Sequence, residues 1–415
     1  MMSTFSAFTN RNFRFCWASN ISLYISRWMQ MTTLSWFVFD QTESAFMVSL
    51  IGFFGLAPLM FFGLFGGVIA DFFNKKVLII ISQIITFSGA AVMTFLLLFD
   101  LLQLWHVYVA IFVPGVSWAL DMPSRRALVM DILGPDRITN GISLDAVGMH
   151  TSKMIGPATA GALIAFTGVL GTYVFMAVII FVGTVSIFQV NMNQDNFDQR
   201  NKNHFSVLSA IKFFFIELGD AFKYALNNQT IFAVLVITFF MNLLLFPYMQ
   251  MVSIISKEVL SVGPLLMGIL MASDGFGALI GSTALASKSK MEFHGRYYLY
   301  GSILSLSGLL LFGISDIYLI SMILLFALGL GTSGFGTMQS VIVLLVSKKE
   351  FRGRCMGLVT LCIGAAPVGS IILGLSSEMF STSNALIINS AIGLVLVIIS
   401  GYKMTSIRGR IIPDN

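Results

Sequence analysis

The chain has 415 residues, of which 57% are hydrophobic and 10% charged, and its mean hydropathy is +0.88. Soluble domains carry about 25% charged residues, so a water-soluble fold could not cover this much apolar surface, and lipid must be the main solvent. The formal net charge of +5 does not indicate a nucleic-acid partner, because the basic residues form short clusters between apolar stretches.

Apolar stretches long enough to cross a bilayer recur along the whole chain. A membrane helix needs about 20 apolar residues. Windows of that size predict an all-α membrane protein with twelve spans, at 16–39, 45–69, 77–99, 105–127, 141–166, 169–191, 231–254, 262–286, 297–315, 317–345, 355–378 and 383–403. The first, fourth, fifth and eighth carry the charges inside the membrane, which predicts an inner set of helices around a polar path.

The positions of lysine and arginine predict the orientation of the chain, because cytoplasmic loops carry an excess of these residues. Of the 24 Lys and Arg, all but three fall on one side of the predicted spans. Lys257 lies on the other side, and Arg27 and Lys153 lie inside spans. We therefore expect a multi-pass protein of the cell membrane with both termini in the cytoplasm.

The longest polar interruption, 193–228, divides the spans six and six. It predicts an N-terminal half at 1–192, a cytoplasmic linker at 193–228 and a C-terminal half at 229–415. The second part of the linker, FSVLSAIKFFFIELGDAFKYALNN, alternates apolar and charged faces at helical spacing. This pattern is typical of an amphipathic helix on the inner membrane surface. A helix that binds a partner protein is the alternative.

The two halves carry a blurred internal repeat. Met122–Leu144 and Met338–Leu358 both follow a span, begin Met-x-Ser, pass through a basic loop and enter a Gly-bearing helix. Repeats of this kind are found in transporters, with the substrate near the bilayer midplane between the halves. The repeat therefore predicts a two-halved, pseudo-symmetric transporter.

The loop after the second span, GGVIADFFNKKVLI, resembles the loop motif of the major facilitator superfamily. The matching residues are a glycine, an aspartate and a basic turn: Gly67, Asp71, Lys75 and Lys76. The resemblance implies a charge clamp that stabilises one conformation of the transport cycle. An ordinary basic turn with a helix cap is the alternative, although it does not explain the aspartate. The corresponding segment of the second half, GSTALASKSKMEFHGR, lacks the aspartate.

The fifth span contains MIGPATAGALIA, which resembles the Gly-Pro motif of exporters in the same superfamily. The matching residues are Gly156, Pro157 and Gly161. Proline removes a helix donor and bends the segment, and small residues allow close helix packing. In that family the motif accompanies export rather than uptake.

The resemblance extends over nearly the whole chain. The segments PSRRALVMDILGPDRITNGISL, YMQMVSIISKEVL, GILMASDGFGALIG and EFRGRCMGL are similar to one exporter branch, which includes the enterobactin exporter and macrolide efflux proteins. The resemblance implies the major facilitator fold, alternating access, a bacterial inner membrane and a proton gradient as the energy source. It also implies a monomer without a cofactor. Members of the branch move very different molecules, so the resemblance does not specify the substrate.

Ionisable residues inside apolar spans are costly and usually face a cavity or a pathway. Arg27, Lys153 and Asp274 lie near the middle of their spans, whereas Asp121 and Asp145 lie closer to the cytoplasmic ends. We predict that Arg27 and Lys153 attract an anionic or polar substrate. Asp274 or Asp121 would carry the coupling proton. The alternative is that the two bases pair permanently with Asp121 or Asp145 and hold helices together.

Asp145, His150 and Lys153 share the fifth span. Asp145 and Lys153 are about 12 Å apart along the helix axis and cannot pair directly. His150 points away from Asp145, and it is either hydrogen-bonded between helices or part of a proton relay.

The sequence contains no nucleotide-binding loop, metal cluster or nucleophile constellation, so we predict no catalytic residue, no metal and no enzyme activity. We expect a proton-coupled antiporter that exports small siderophore-like or drug-like molecules. Its partners are the substrate and the bilayer. The alternatives are an importer or facilitator of a small metabolite, and a non-transporting membrane sensor or lipid scramblase on the same scaffold.

Overall fold

The computed structural model describes residues 6–191, 219–287 and 291–411, apart from the side chains of 64–72 and 135–136. The regular secondary structure in these ranges is helical. Twelve membrane helices form two halves of six, which confirms the predicted fold class. Odd-numbered helices run from the membrane face that carries the chain ends, here called the terminal side, to the opposite face, the far side.

The first half contains six long helices with short connections. They are α1 Arg11–Thr42, α2 Ala45–Phe72, α3 Lys75–Leu98, α4 Leu104–Gly134, α5 at 137–167 and α6 at 169–188. The last three form one helical run in which Gly134 and Gly168 have φ angles of 69° and 71°. Glycine adopts positive φ without steric cost, so the chain reverses at these two positions without a long loop.

The second half repeats this arrangement. Its helices are α7 Gln229–Glu258, α8 Pro264–Ala286, α9 His294–Ile314, α10 Tyr318–Val346, α11 Arg352–Phe380 and α12 Thr382–Lys403. A short helix at 219–227 precedes α7 and is the described end of the predicted amphipathic helix. The rest of the predicted linker lies outside the described residues, and the domain boundaries at 192 and 228 stay a prediction.

Among the described residues, ten helical stretches are long and apolar enough to cross a membrane. One of them, Arg137–Phe188, contains both α5 and α6, and α1 is too polar to be among the ten. α1 also begins five residues before its apolar window, because the side chain of Asn10 accepts hydrogen bonds from the N–H groups of Asn12 and Phe13. The cap therefore starts the helix in a polar segment, which a search for apolar residues does not include in the predicted span.

Helix α7 is irregular where it reaches the centre of the protein. A π-helical turn, Met241–Leu245, follows the first segment, and the α-helix resumes at Tyr248 after Pro247. Proline has no N–H to donate, and π-helical turns often occur at functional sites. The irregularity places Tyr248 at the start of a new helical segment.

Each half is held together by a buried polar side chain on its third helix. In the first half, Gln83 of α3 donates to Ser19 of α1 and accepts from Thr184 of α6. In the second half, the hydroxyl of Tyr298 on α9 lies 2.9 Å from Thr238 of α7, which accepts from Gln339 of α10. Buried polar groups are stable only when they are hydrogen-bonded, so these links fix helices within a half.

The two halves meet where α5 packs on α8 and α2 packs on α11. A Cβ atom on Gly161 of α5 would collide with the backbone of Pro264 and Gly268. A Cβ atom on Gly52 of α2 would lie 2.7 Å from the hydroxyl of Ser370 on α11. Small residues therefore bring the halves into close contact.

Candidate functional site

A buried ion pair joins the two halves in the middle of the membrane. Nζ of Lys153 on α5 lies 2.7 Å from Oδ2 of Asp274 on α8, and the two side chains are only 13% and 4% exposed. Removing one partner of a buried pair typically costs about 3–5 kcal/mol, because the other charge is left uncompensated. The pair therefore couples the relative position of the halves to the charge state of two side chains.

Close packing of α5 on α8 makes this pair possible. A Cβ atom on Gly275 would lie 2.6 Å from the backbone nitrogen of Met154, and one on Gly156 would lie 2.6 Å from Cβ of Trp28 on α1. The predicted exporter motif, Gly156 to Gly161, thus packs α5 between α1 and α8. The helix continues through Pro157 with helical backbone angles.

Two aromatic side chains complete the surroundings of the ion pair. The hydroxyl of Tyr248 donates to Oδ2 of Asp274 over 2.6 Å, and the ring of Trp28 lies 5.8 Å from Nζ of Lys153. Oδ1 of Asp274 is buried, and no described atom hydrogen-bonds to it. The cavity at the pair measures about 10 Å³, too small for a substrate, so the structure holds the site in a closed state.

His150 lies three residues before Lys153, about one helical turn away on α5. It is half-buried. The imidazole is thus the nearest titratable neighbour of the pair on the same helix.

A second polar network lies within the first half. Asp121 and Arg125 form a buried ion pair one turn apart on α4. Arg125 also donates to Ser19 and Asn20 of α1. The sequence placed Arg125 in a cytoplasmic basic loop, and this was wrong, because α4 continues to Gly134 and only 2% of Arg125 is exposed.

The same network binds the third predicted aspartate. Asp145 of α5 accepts from Asn20 over 2.7 Å and from the hydroxyl of Tyr24 over 3.0 Å. The partners of Asp121 and Asp145 are therefore Arg125, Asn20 and Tyr24. They are not Arg27 or Lys153, as the structural alternative in the sequence analysis supposed.

Arg27 lies beside this network and faces a small polar cavity. Its guanidinium lies 4.7 Å from the ring centre of Trp118 and donates to the carbonyl of Gly55 over 3.2 Å. No carboxylate among the described residues forms an ion pair with it. The cavity, which Asp121 and Gln30 also line, measures about 20 Å³ and has room for about one water molecule.

The two described lysines of the predicted clamp bind within the first half. Lys75 lies 2.5 Å from Asp131 of α4, and Lys76 donates to the carbonyls of Phe188, the last residue of α6, and of Val190 just beyond it. The surroundings of Gly67 and the side chain of Asp71 are not among the described parts of the structure, so the clamp stays a prediction.

Two links that the sequence did not indicate join the halves on the far side. Asp40 of α1 and Lys257 of α7 lie 2.7 Å apart. Glu378 of α11 accepts from Ser44 over 2.5 Å and from the N–H of Phe46 over 3.0 Å. These links lie on the membrane face opposite to the chain ends and close it.

Comparisons with known proteins match this architecture. A family model described as transmembrane secretion effector matches residues 2–409. The staphyloferrin A transporter of Staphylococcus aureus is 21% identical over 369 residues, which cover 88% of this chain and 90% of that protein. Macrolide efflux protein A of Streptococcus pyogenes is 21% identical over 393 residues, which cover 92% and 93%.

Solved transporters share the fold at low sequence identity. A POT family transporter in complex with 5-aminolevulinic acid has a TM-score of 0.75 at 12% identity and covers 96% of this chain and 97% of its own. The nucleoside transporter NupG has a TM-score of 0.71 at 13% identity, with coverages of 95% and 99%. The chain is therefore a membrane transporter and not an enzyme, and it belongs to the transmembrane secretion effector family of the major facilitator superfamily.

Proposed function

We propose that this transporter exports a small molecule in exchange for protons, by alternating access around the Lys153–Asp274 pair. The terminal side faces the cytoplasm of a bacterial cell, as the lysine and arginine distribution predicts. The protein works as a monomer without a cofactor, and the proton gradient supplies the energy.

One observation carries the proposal: the only buried ion pair between the halves, among the described residues, lies at the level where transporters of this plan bind substrate. Rocking of one half against the other changes the distance between α5 and α8. The pair therefore contributes different free energies to the two conformations, which is the requirement for a group that controls the change.

Asp274 carries the coupling proton in this proposal. In its ionised form it accepts from both Lys153 and Tyr248. Protonation removes its charge and leaves Lys153 as an uncompensated buried cation, which disfavours the closed arrangement. Asp121 is a weaker candidate, because its partner Arg125 lies on the same helix and does not separate from it when the halves move.

The names of the relatives support export. Macrolide efflux protein A and the staphyloferrin A transporter align with nearly the whole chain, and the matched family is described as a secretion effector. The Gly156-Pro157 segment, which the family resemblance links with export, lies between α1 and α8 beside the proposed site.

Transport into inverted membrane vesicles with an acidic interior tests this proposal. A panel that includes a macrolide and a siderophore supplies the labelled substrates. We expect the labelled substrate to accumulate inside the vesicles and this accumulation to disappear when the pH gradient is collapsed. The Asp274→Asn variant should not accumulate the substrate. Glu292→Gln, which removes a carboxylate paired with Arg410 on the protein surface, is the matched control and retains transport.

The alternatives give different results in the same vesicles. A proton-coupled importer moves preloaded substrate out of inverted vesicles that have an acidic interior, and a facilitator equilibrates it without a gradient. A sensor or lipid scramblase gives no substrate-dependent proton flux. Normal pH-driven transport by Asp274→Asn would remove Asp274 from the mechanism.

A further inference from the structure

We propose that Arg27 holds a single small inorganic anion, such as chloride, in the cavity inside the first half. The anion is a resident ligand of that half, and it replaces the transported substrate that the sequence predicts for Arg27. The inference goes beyond the proposed export and does not depend on it, because all the side chains that carry it lie within one half.

Four helices of the first half enclose this cavity. Its wall includes Arg27 of α1, Thr86 of α3, Trp118 of α4 and Tyr173 of α6. It is therefore separate from the Lys153–Asp274 pair, which joins α5 to α8. The cavity measures about 20 Å³, so it admits one particle about as large as a water molecule and no organic substrate. A chloride ion is only slightly larger than water.

The described contacts of Arg27 do not neutralise its charge. Its guanidinium donates to the carbonyl of Gly55 and lies over the ring of Trp118, and both of these groups are uncharged. No carboxylate among the described residues forms an ion pair with it. A charge inside the membrane is costly unless it is paired. A guanidinium has five N–H donors, so Arg27 retains both the charge and the donors that an anion needs.

Two further side chains of the wall offer donors. Tyr173 is completely buried, and the nearby amide of Gln30 does not complete a hydrogen bond to its hydroxyl. Gln30 instead donates one N–H to the carbonyl of Ala110 over 2.9 Å, and its amide has a second N–H. A buried hydroxyl without a partner costs about 1–3 kcal/mol. An anion between Arg27 and Tyr173 would supply the missing acceptor.

Asp121 lines the same cavity but does not supply the missing negative charge. Its carboxylate is paired with Arg125 on the same helix. Ala110, the partner of Gln30, lies eleven residues before Asp121 on α4, which corresponds to about 16 Å along the helix axis. Asp121 and Gln30 therefore lie toward opposite ends of the cavity. Repulsion from Asp121 restricts the anion to the end formed by Gln30, Arg27 and Tyr173.

Thermal unfolding of the whole protein in detergent tests the inference. The unfolding midpoint is measured in sodium chloride and in sodium gluconate at the same ionic strength, because gluconate is too large for the cavity. A ligand that binds only the folded state raises the midpoint. We expect the midpoint in chloride to lie about 2–4 °C above that in gluconate, and bromide to act like chloride.

Three variants separate this site from a general effect of salt. Arg27→Gln should unfold at the same midpoint in both salts, because the cation that holds the anion is gone. Tyr173→Phe removes only the hydroxyl and should weaken chloride binding several-fold, so the midpoint rises only at higher chloride concentrations. Arg410→Gln is the matched control, since it removes an arginine that is paired with Glu292 on the protein surface. It should respond to chloride like the wild type.

Three results would overturn the inference. Equal midpoints of the wild type in the two salts would mean that a neutral water molecule fills the cavity. A chloride effect that Arg27→Gln retains would place the anion elsewhere. Equal chloride affinities of Tyr173→Phe and the wild type would exclude this cavity, and this variant keeps the test decisive if Arg27→Gln does not fold. Since unfolding and not flux is measured, a failure of the proposed export would leave these outcomes unchanged.

Discussion

Glu378 of α11 caps a helix of the opposite half through Ser44. Its Oε1 lies 2.5 Å from the hydroxyl of Ser44 and 3.0 Å from the N–H of Phe46, at the start of α2. The first N–H groups of a helix lack internal partners, and a carboxylate there contributes about 0.3–1 kcal/mol. Together with the Asp40–Lys257 pair, this cap holds the far side closed. Both links must break before the site can open to that side.

Cross-linking of the far side is therefore expected to stop transport. In a background without the three native cysteines, Asp40→Cys and Lys257→Cys together place two thiols where the ion pair lies. A short reducible bis-thiosulfonate reagent should abolish substrate flux in vesicles, because the far side can no longer open. Reductant should restore it.

The single-cysteine variants treated with the same reagent are the control, and they should keep transporting. An exposed ion pair is worth only about 0–1 kcal/mol, so replacement of the two charges alone leaves the fold intact. Undiminished transport by the cross-linked double variant would mean that these helix ends do not separate during the cycle.

The twelve helices were predictable from the sequence because a membrane helix satisfies its backbone hydrogen bonds internally and leaves a run of apolar residues. The contacts between side chains of different helices were not predictable. The ion pair of Lys153 with Asp274, for example, depends on how α5 packs on α8. Gly161, Gly268 and Gly275 permit that packing, yet a glycine in a sequence does not say which helix it faces.

Arg125 and Tyr248 are the residues that sequence reasoning missed. The fourth predicted span ended at 127, and Arg125 at its end was assigned to the cytoplasmic side with the other basic residues, although the four-residue spacing of Asp121 and Arg125 is the spacing of a helical ion pair. No such signal was available for Tyr248, because its position depends on the π-helical turn before Pro247.

Removal of both charges of the Lys153–Asp274 pair is expected to be less damaging to stability than removal of one. Lys153→Met leaves a buried aspartate without its cation, at a cost of about 3–5 kcal/mol. In Lys153→Met/Asp274→Asn no buried charge remains at this site, so the midpoint of thermal unfolding in detergent should return toward that of the wild type. The coupling energy of the double-mutant cycle should be at least about 3 kcal/mol, because the double variant loses less stability than either single variant.

Proton-driven flux should be absent from both of these variants, since each lacks the charge pair. Additive effects of the two substitutions on the unfolding midpoint would mean that the side chains do not interact in the membrane. Recovery of pH-driven flux in the double variant would contradict the role of Asp274.

The Asp121–Arg125 pair is expected to act on stability rather than on transport. Arg125→Leu leaves a buried carboxylate beside Asn20 and should lower the unfolding midpoint strongly. The double variant Arg125→Leu/Asp121→Leu should regain most of the loss. Its flux per folded molecule, measured in vesicles with the imposed pH gradient, should stay within a few-fold of the wild type. If Asp121 carries the proton, this folded double variant loses its response to the gradient instead.

Two glycine-to-alanine substitutions should have opposite effects because their surroundings differ. A methyl group on Gly161 would collide with the backbone of Pro264 and Gly268, so α5 and α8 must separate, at a cost of about 1–3 kcal/mol. At Gly336 of α10, an added Cβ atom would have no other atom within 4 Å, and alanine there should stabilise the helix by up to about 1 kcal/mol.

We expect Gly161→Ala to lower the unfolding midpoint and to reduce transport, because separation of the helices also lengthens the Lys153–Asp274 contact. Gly336→Ala should raise the midpoint or leave it unchanged and should transport normally. Equal midpoints for the two variants would show that α5 and α8 do not pack at Gly161 as described.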